Sequence, residues 1–270
     1  MSVKLFVSDI DGTLLVSGKK ISARNIDAVK RMTDAGITVT IATGRMYRAA
    51  LPIAKELGVN VPIITYNGAL IKSTDGEIIH AEYLPENIVV ELVKFYENRG
   101  WYLQNYSEDN LYYPAYNNYA EYYETHQKVK GTAIGWDGMK NKTSKVCKLL
   151  SIADNLEENL RRMAELKNKF GDKIEVTKST PIYTEIICPG VSKASAVTIL
   201  AKKLGVSRAE IMAIGDSDND LPMLKSAGTS VAMGNSTDEV KKSCDVVTGF
   251  CEDDGFSQAV DKFVFGSNNE

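Results

Sequence analysis

Two aspartates, Asp9 and Asp11, follow the apolar run Leu5-Phe6-Val7, and a second acidic group, Asp216, Asp218 and Asp220, follows Ile211-Met212-Ala213-Ile214 about two hundred residues later. Side chains alternate along a strand, so Asp9 and Asp11 point to one side while Ile10 points away. One carboxylate of such a pair can attack an electrophile while its neighbour moves a proton. If the fold sets the second group beside the first, several anionic oxygens share one small volume, and their repulsion makes the arrangement costly without a cation. A divalent metal is therefore implied.

The acidic group is not a calcium loop of the EF-hand kind. Counting from Asp216, position six is Leu221 and position twelve Ala227, where that loop needs Gly and Glu. The chain also lacks the GxxxxGK[ST] phosphate loop and the GxGxxG fingerprint, so neither P-loop nor Rossmann dinucleotide chemistry is expected. Thr43-Gly44-Arg45 ends a second strand pattern, at the sheet edge where open parallel sheets bind ligands. Taken alone, Thr-Gly reads as a strand-to-helix turn; beside the aspartates it offers a hydroxyl and backbone N–H groups to phosphoryl oxygens. Lys193 opens a predicted helix that Ser192 can cap, and a lysine there opposes the helix dipole. It reads either as a solvated surface lysine or as an anion-binding one.

The elements that must hold these residues follow from periodicity. From Lys4 to Tyr83 the pattern is βαβαβ: strand at Leu5-Phe6-Val7, helix from Ser22 to Ala35, strand from Ile37 to Ala42, helix from Tyr47 to Leu57, strand from Val61 to Thr65. Near-continuous apolar strands suit a parallel sheet covered on both faces by helices. Ile26, Val29 and Met32 give the first helix one apolar stripe, and Gly36 ends it. The rhythm returns after Ser192, with a helix to Leu204, strands at Ile211 to Ile214, Ser230 to Met233 and Val246-Val247, and helices after Asp220 and after Ser236, where Ser236 to Glu239 has capping-box spacing.

Between Leu84 and Gly190 the texture changes, for ten of the thirteen tyrosines and both tryptophans, Trp101 and Trp136, lie there. The periodicity predicts helices over Glu86 to Asn98, Tyr116 to His126 and Leu156 to Phe170. Strands are expected near Trp101 to Tyr106, Leu111 to Tyr113, Lys145 to Ile152, Ile174 to Thr177 and Tyr183 to Ile187. With Pro85 at one crossing and Pro189-Gly190 at the other, residues 84–190 read as an α+β domain inserted into an α/β domain made of 1–83 and 191–270.

Taken in order, DIDGTL at 9–14, TGR at 43–45, Lys193 and GDSDND at 215–220 resemble the four motifs of the haloacid-dehalogenase-like (HAD) superfamily. Tyr66-Asn67-Gly68-Ala69, the position of the insertion and Met233-Gly234-Asn235 narrow the resemblance to the Cof-type sugar phosphatases. Ala194 departs from the Gly that such proteins carry after the lysine. The resemblance implies a HAD-type, Rossmann-like parallel-sheet core with an inserted cap that selects substrate. It implies that Asp9 attacks phosphorus to form an aspartyl-phosphate and that Asp11 first protonates the leaving alcohol, then activates water. It further implies Mg2+ at Asp9, the carbonyl of Asp11 and Asp216, with Asp220 completing the metal set from the outer shell, steering Lys193 or a metal-bound water, and phosphoryl binding by Thr43, Gly44, Lys193 and Asn219. Asp218 has no evident role. Arg45 and Arg48 read equally as substrate or cap contacts and as surface ion pairs. Of the inserted tyrosines, one or two are expected to touch substrate.

Composition narrows the partners. A net charge of −3 without a basic cluster gives no footprint for nucleic acid or an anionic membrane. Cys147, Cys188, Cys244 and Cys251 form no CxxC pair, so neither a zinc site nor a disulfide framework is expected. No apolar run approaches a membrane span, and strand-like sequence from Lys4 leaves no room for a signal peptide. The expectation is a cytoplasmic, magnesium-dependent phosphatase of small phosphorylated metabolites, sugar phosphates foremost, monomeric or weakly dimeric. Two alternatives are a phosphotransferase or mutase using the same aspartyl-phosphate, and a non-catalytic regulator that binds a phosphometabolite.

Overall fold

A computed structural model describes residues 3–16 and 18–266. In chain order the strands begin with β1 (Leu5–Ser8) and β2 (Thr38–Ile41), followed by β3 (Ile63–Thr65), β4 (Leu70–Lys72) and β5 (Ile78–Ala81). Next come β6 (Gln104–Ser107), β7 (Asn110–Tyr113), β8 (Gly131–Ala133), β9 (Val146–Ile152), β10 (Glu175–Thr177) and β11 (Tyr183–Ile187); β12 (Ile211–Gly215), β13 (Thr229–Ala232) and β14 (Val246–Val247) complete the set. Three sheets result, ordered β14-β13-β12-β1-β2, β10-β11-β9-β6-β7-β8 and β3-β4-β5. The first is parallel throughout, and its central strands are buried on both faces, as their near-continuous apolar sequences require.

One expected strand sits differently. The third apolar run is expected to continue the parallel sheet; β3 does lie parallel beside the end of β2, through the Ala42–Ile64 bridge, but its ladder is the antiparallel one with β4. The cause lies in Tyr66-Asn67-Gly68, a tight turn in which Tyr66 and Asn67 have φ of 53° and 57°. It reverses the chain at once, so the hairpin forms in place of a crossover. A Cβ on Gly68 (φ +105°) would lie 2.2 Å from the Ser192 carbonyl, so only glycine lets this turn meet the helix that Lys193 begins.

The helices follow their caps. Ser22 accepts the Asn25 N–H and starts Ala23–Asp34; Asn155 accepts the Glu158 N–H and starts Leu156–Phe170. At Asp238–Lys242 the cap is Thr237, which accepts the Val240 N–H, rather than Ser236. Short elements at Gly135–Asn141, Gly255–Ala259 and β8 carry too few periodic residues to be foreseen. No helix among the described residues is long and apolar enough to cross a membrane. All four cysteines are free.

The six-stranded sheet has two unlike faces. Leu103, Leu149, Val176 and Ile186 pack with Val89, Leu92 and Leu166 of its own helices. On the other face Tyr106, Leu150, Ile152 and Tyr183 join a core cluster that also holds Tyr66 and Met46 of the first segment. That second face is turned toward the C-terminal edge of the parallel sheet.

Candidate active site

Parallel pairing brings the distant motifs together. Ser8 is in register with Ile214 and Ile41, and the Asp9 N–H donates to the Ile214 carbonyl at 3.0 Å, so the loops after β1, β2 and β12 leave the sheet side by side. Thr13 Oγ1 donates to Asp216 Oδ1 at 3.0 Å across 203 residues of sequence. A Cβ on Gly12 (φ +84°) would lie 2.4 Å from Asp216 Oδ2, so glycine is what allows the two acidic loops to touch.

Lys193 is the hub. Its Nζ donates to Asp9 Oδ1 at 2.5 Å and to Asp220 Oδ1 at 2.6 Å, and all three side chains are buried. Asp220 Oδ2 accepts the backbone N–H groups of Asp216 and Ser217, both at 3.0 Å, so both oxygens of this carboxylate are engaged. The surface reading of Lys193 is thus excluded. Its place at the start of Lys193–Leu204, unfavourable against the helix dipole, is compensated by two carboxylates.

Burial dominates the electrostatics. It raises the Asp9 carboxyl well above the ordinary range; Lys193 opposes this, but Asp220, Asp216 and Asp11 add to it. The Asp216 carboxyl is pushed up to about 7 by burial and then by Asp220. For Lys193, burial alone would lower the ammonium's proton affinity, yet Asp220 and Asp9 outweigh it and hold the lysine above its usual range. One ammonium therefore stabilises the cluster only in part.

Asp11 is gripped by Arg45, whose Nε donates to Oδ2 at 2.7 Å and whose Nη2 donates to Oδ1 at 2.5 Å; the arginine is buried and the aspartate partly exposed. Thr43 is buried and its Oγ1 accepts the Arg45 N–H at 3.1 Å. Arg48 reaches the 84–190 segment, donating from Nη2 to the Lys130 carbonyl at 2.8 Å. Asp218, without an evident role in sequence, pairs with Lys178 of that segment.

These loops open onto a cavity of about 570 Å3. Asp9, Asp11, Thr43, Gly44, Arg45 and Asn219 line one wall, and Tyr122, Tyr123, Tyr183, Lys148 and Glu185 line the facing one. Several of these contacts were not foreseen from sequence. Asn67 accepts from Asn219 Nδ2 at 3.1 Å; Tyr66 donates its hydroxyl to Asp109 at 2.6 Å; Lys148 and Glu185 form a buried ion pair at 2.6 Å. A signal for the last two exists, since each is a lone charge inside a strand that is otherwise apolar on that face.

Oxygen ligands from Asp9, Asp216 and Asp220 lie within 4.8 Å of one another, a hard, all-carboxylate donor set of the kind that holds Mg2+. The excess of buried negative charge over the single ammonium fits a divalent cation.

Comparison with known proteins agrees with this geometry. A family model described as haloacid dehalogenase-like hydrolase matches residues 6–260. A 5-amino-6-(5-phospho-D-ribitylamino)uracil phosphatase of Bacillus subtilis is 31% identical over 98% of this chain and 97% of its own. A haloacid dehalogenase-like hydrolase from Bacteroides thetaiotaomicron superposes with a TM-score of 0.87 at 30% identity, covering 97% of this chain and 99% of the other. The HAD subclass IIB sugar phosphatase BT4131 superposes with a TM-score of 0.86 at 25% identity, covering 97% and 99%.

Proposed function

Because the chain belongs to the haloacid dehalogenase-like hydrolases and is a phosphatase of that family, we propose that it dephosphorylates small metabolites, sugar phosphates foremost, through a covalent aspartyl-phosphate on Asp9. The observation that carries this reading is the Asp9 carboxylate, held 2.5 Å from Lys193 at the wall of a cavity shared with Thr43, Gly44 and Asn219. Residues 1–83 and 191–270 act as the catalytic core and 84–190 as the cap that selects substrate. The enzyme is a cytoplasmic monomer or weak dimer that needs neither nucleic acid nor membrane.

In the first step an Asp9 oxygen attacks phosphorus, and the leaving alkoxide takes a proton from Asp11. In the second, Asp11 removes a proton from water, whose oxygen attacks the same phosphorus and restores the Asp9 carboxylate with release of phosphate. Each displacement is easier than a single direct one. Lys193, Thr43 and the Gly44 N–H stabilise charge on the equatorial oxygens. Asp11 bound to Arg45 is an acceptor only, so its role as proton donor requires that pair to open; substrate oxygens that take the guanidinium would open it. Asp9 and Asp216 would hold Mg2+, with Asp220 behind them fixing Lys193, and the bound ion would supply positive charge that offsets the clustered carboxylates and the charge of the phosphoryl group.

Metal binding has a thermal signature with a definite sign. In metal-free protein Asp216 binds its proton more tightly folded than unfolded, so stability falls as pH rises from about 4, the unfolded value, through about 7, the folded one. A divalent cation replaces the protons. The rise in Tm on adding Mg2+ is therefore expected to be small at pH 5 and to grow toward pH 8; a rise that is constant or shrinks with pH would contradict the assignment.

A phosphate-release screen over sugar, nucleotide and vitamin phosphates, with Mg2+ or with EDTA, tests the function. Release from a subset of substrates, abolished by EDTA, is expected. Phosphoryl transfer to a second sugar with little free phosphate would favour the mutase instead, and binding without turnover across the panel would favour the regulator.

A further inference from the structure

We propose that Lys148 and Glu185 are positioning residues that lock the phosphoryl-binding groups into place from the cap side. The proposal rests on the reading of Thr43, Gly44 and Asn219 as those groups.

Both residues stand on the face of the six-stranded sheet that is turned to the site. Glu185 is opposite Leu150 in the β9–β11 ladder, which makes Lys148 its diagonal neighbour, and the two are 1% and 2% exposed. Burying such a pair contributes little to stability compared with apolar residues of the same volume, so its presence among Tyr106, Leu150 and Tyr183 calls for another account.

Two branches leave the pair. Through one, Lys148 Nζ donates to the Gly44 carbonyl at 2.7 Å. That carbonyl belongs to the same peptide as the Arg45 N–H, which donates to Thr43 Oγ1, so the lysine fixes the peptide that orients the threonine hydroxyl. Through the other, Glu185 Oε2 accepts from Asn67 Nδ2 at 3.1 Å, and Asn67 Oδ1 in turn accepts from Asn219 Nδ2 at 3.1 Å. An ionised carboxylate only accepts, so it dictates which way the Asn67 amide faces, and Asn67 dictates Asn219.

The end of the second branch is unpaired. Asn219 is 8% exposed, lines the cavity, and its Oδ1 is buried without a hydrogen-bond partner among the described residues. Such an atom is costly unless a ligand or cation satisfies it. The Glu185 charge thus presents Asn219 to the site as an acceptor, poised for a protonated phosphoryl oxygen or another donor of the bound complex.

The test uses the full chain with Mg2+. Lys148→Met/Glu185→Met removes both charges together, so that neither is left buried alone, while Glu185→Gln keeps the shape and lets the amide chain reverse. Inorganic phosphate affinity is measured by calorimetry, kcat and KM on the best substrate of the panel and on a small aryl phosphate, and Tm alongside. The double variant is expected to hold its Tm within a few degrees yet lose about tenfold to a hundredfold in kcat/KM on both substrates, as small misplacements of binding groups do. Phosphate affinity should fall by at least about tenfold in the double variant and measurably in Glu185→Gln. Phosphate affinity within twofold of wild type in a folded variant would overturn the proposal, as would a loss confined to the larger substrate or no phosphate binding by the wild type. If the double variant does not fold, Glu185→Gln decides alone. Because phosphate affinity is read without turnover, an inactive wild type whose phosphate binding still depends on the pair would refute the phosphatase mechanism and leave the positioning role standing.

Discussion

Asp9→Asn is expected to abolish turnover while the protein remains folded. The carboxamide keeps the size of the side chain and can still accept from Lys193, but it is no nucleophile toward phosphorus. Loss of an attacking group costs on the order of 10⁴- to 10⁶-fold in kcat. The fold should not suffer, because burial and the neighbouring carboxylates already disfavour the Asp9 charge in metal-free protein. Its Tm without metal should equal or exceed that of wild type, and the Mg2+-dependent rise should shrink, since one ligand has lost its charge. Steady-state kinetics and thermal melts with and without Mg2+ check both halves. A pure Asp9→Asn protein with wild-type activity would exclude the covalent route.

Lys193→Met is expected to fail in both catalysis and stability. The substitution leaves Asp9 and Asp220 buried without their shared counter-charge, and breaking a buried pair from one side costs about 3–5 kcal/mol. At about 2–4 °C per kcal/mol for a chain of this size, Tm should fall by roughly 10 °C. Lower pH or added Mg2+ should recover part of it, because each relieves the unpaired carboxylates. Loss of the donor to the phosphoryl oxygens should also lower kcat by about 10²- to 10³-fold. A variant with unchanged Tm and kcat within tenfold of wild type would reduce Lys193 to a bystander.

How far the sequence disclosed this site depends on the kind of interaction. Asp9, Asp11, Asp216 and Asp220 were legible because each cluster directly succeeds an apolar strand, and parallel strands deliver their C-terminal loops to one edge of the sheet. Lys193 was ambiguous, since only the fold reveals that two carboxylates offset its place in the helix. Lys148 and Glu185 passed unnoticed because a lone charge in an apolar strand says nothing of its partner, here on a neighbouring strand 37 residues on. The hairpin of β3 and β4 was hidden by the Tyr66-Asn67 turn, whose positive φ values no propensity of tyrosine predicts. Thr237 displaced Ser236 as a cap because neighbouring capping residues compete, and packing decides between them.

The most direct test of the account is chemical trapping of the phosphorylated enzyme. A single turnover of enzyme with ³²P-labelled substrate and Mg2+, quenched in acid before hydrolysis completes, should leave label on the protein. Peptide mapping should place it at Asp9, hydroxylamine should release it, and Asp9→Asn should carry none. Rapid turnover with no hydroxylamine-sensitive label at Asp9 at any quench time would contradict the account.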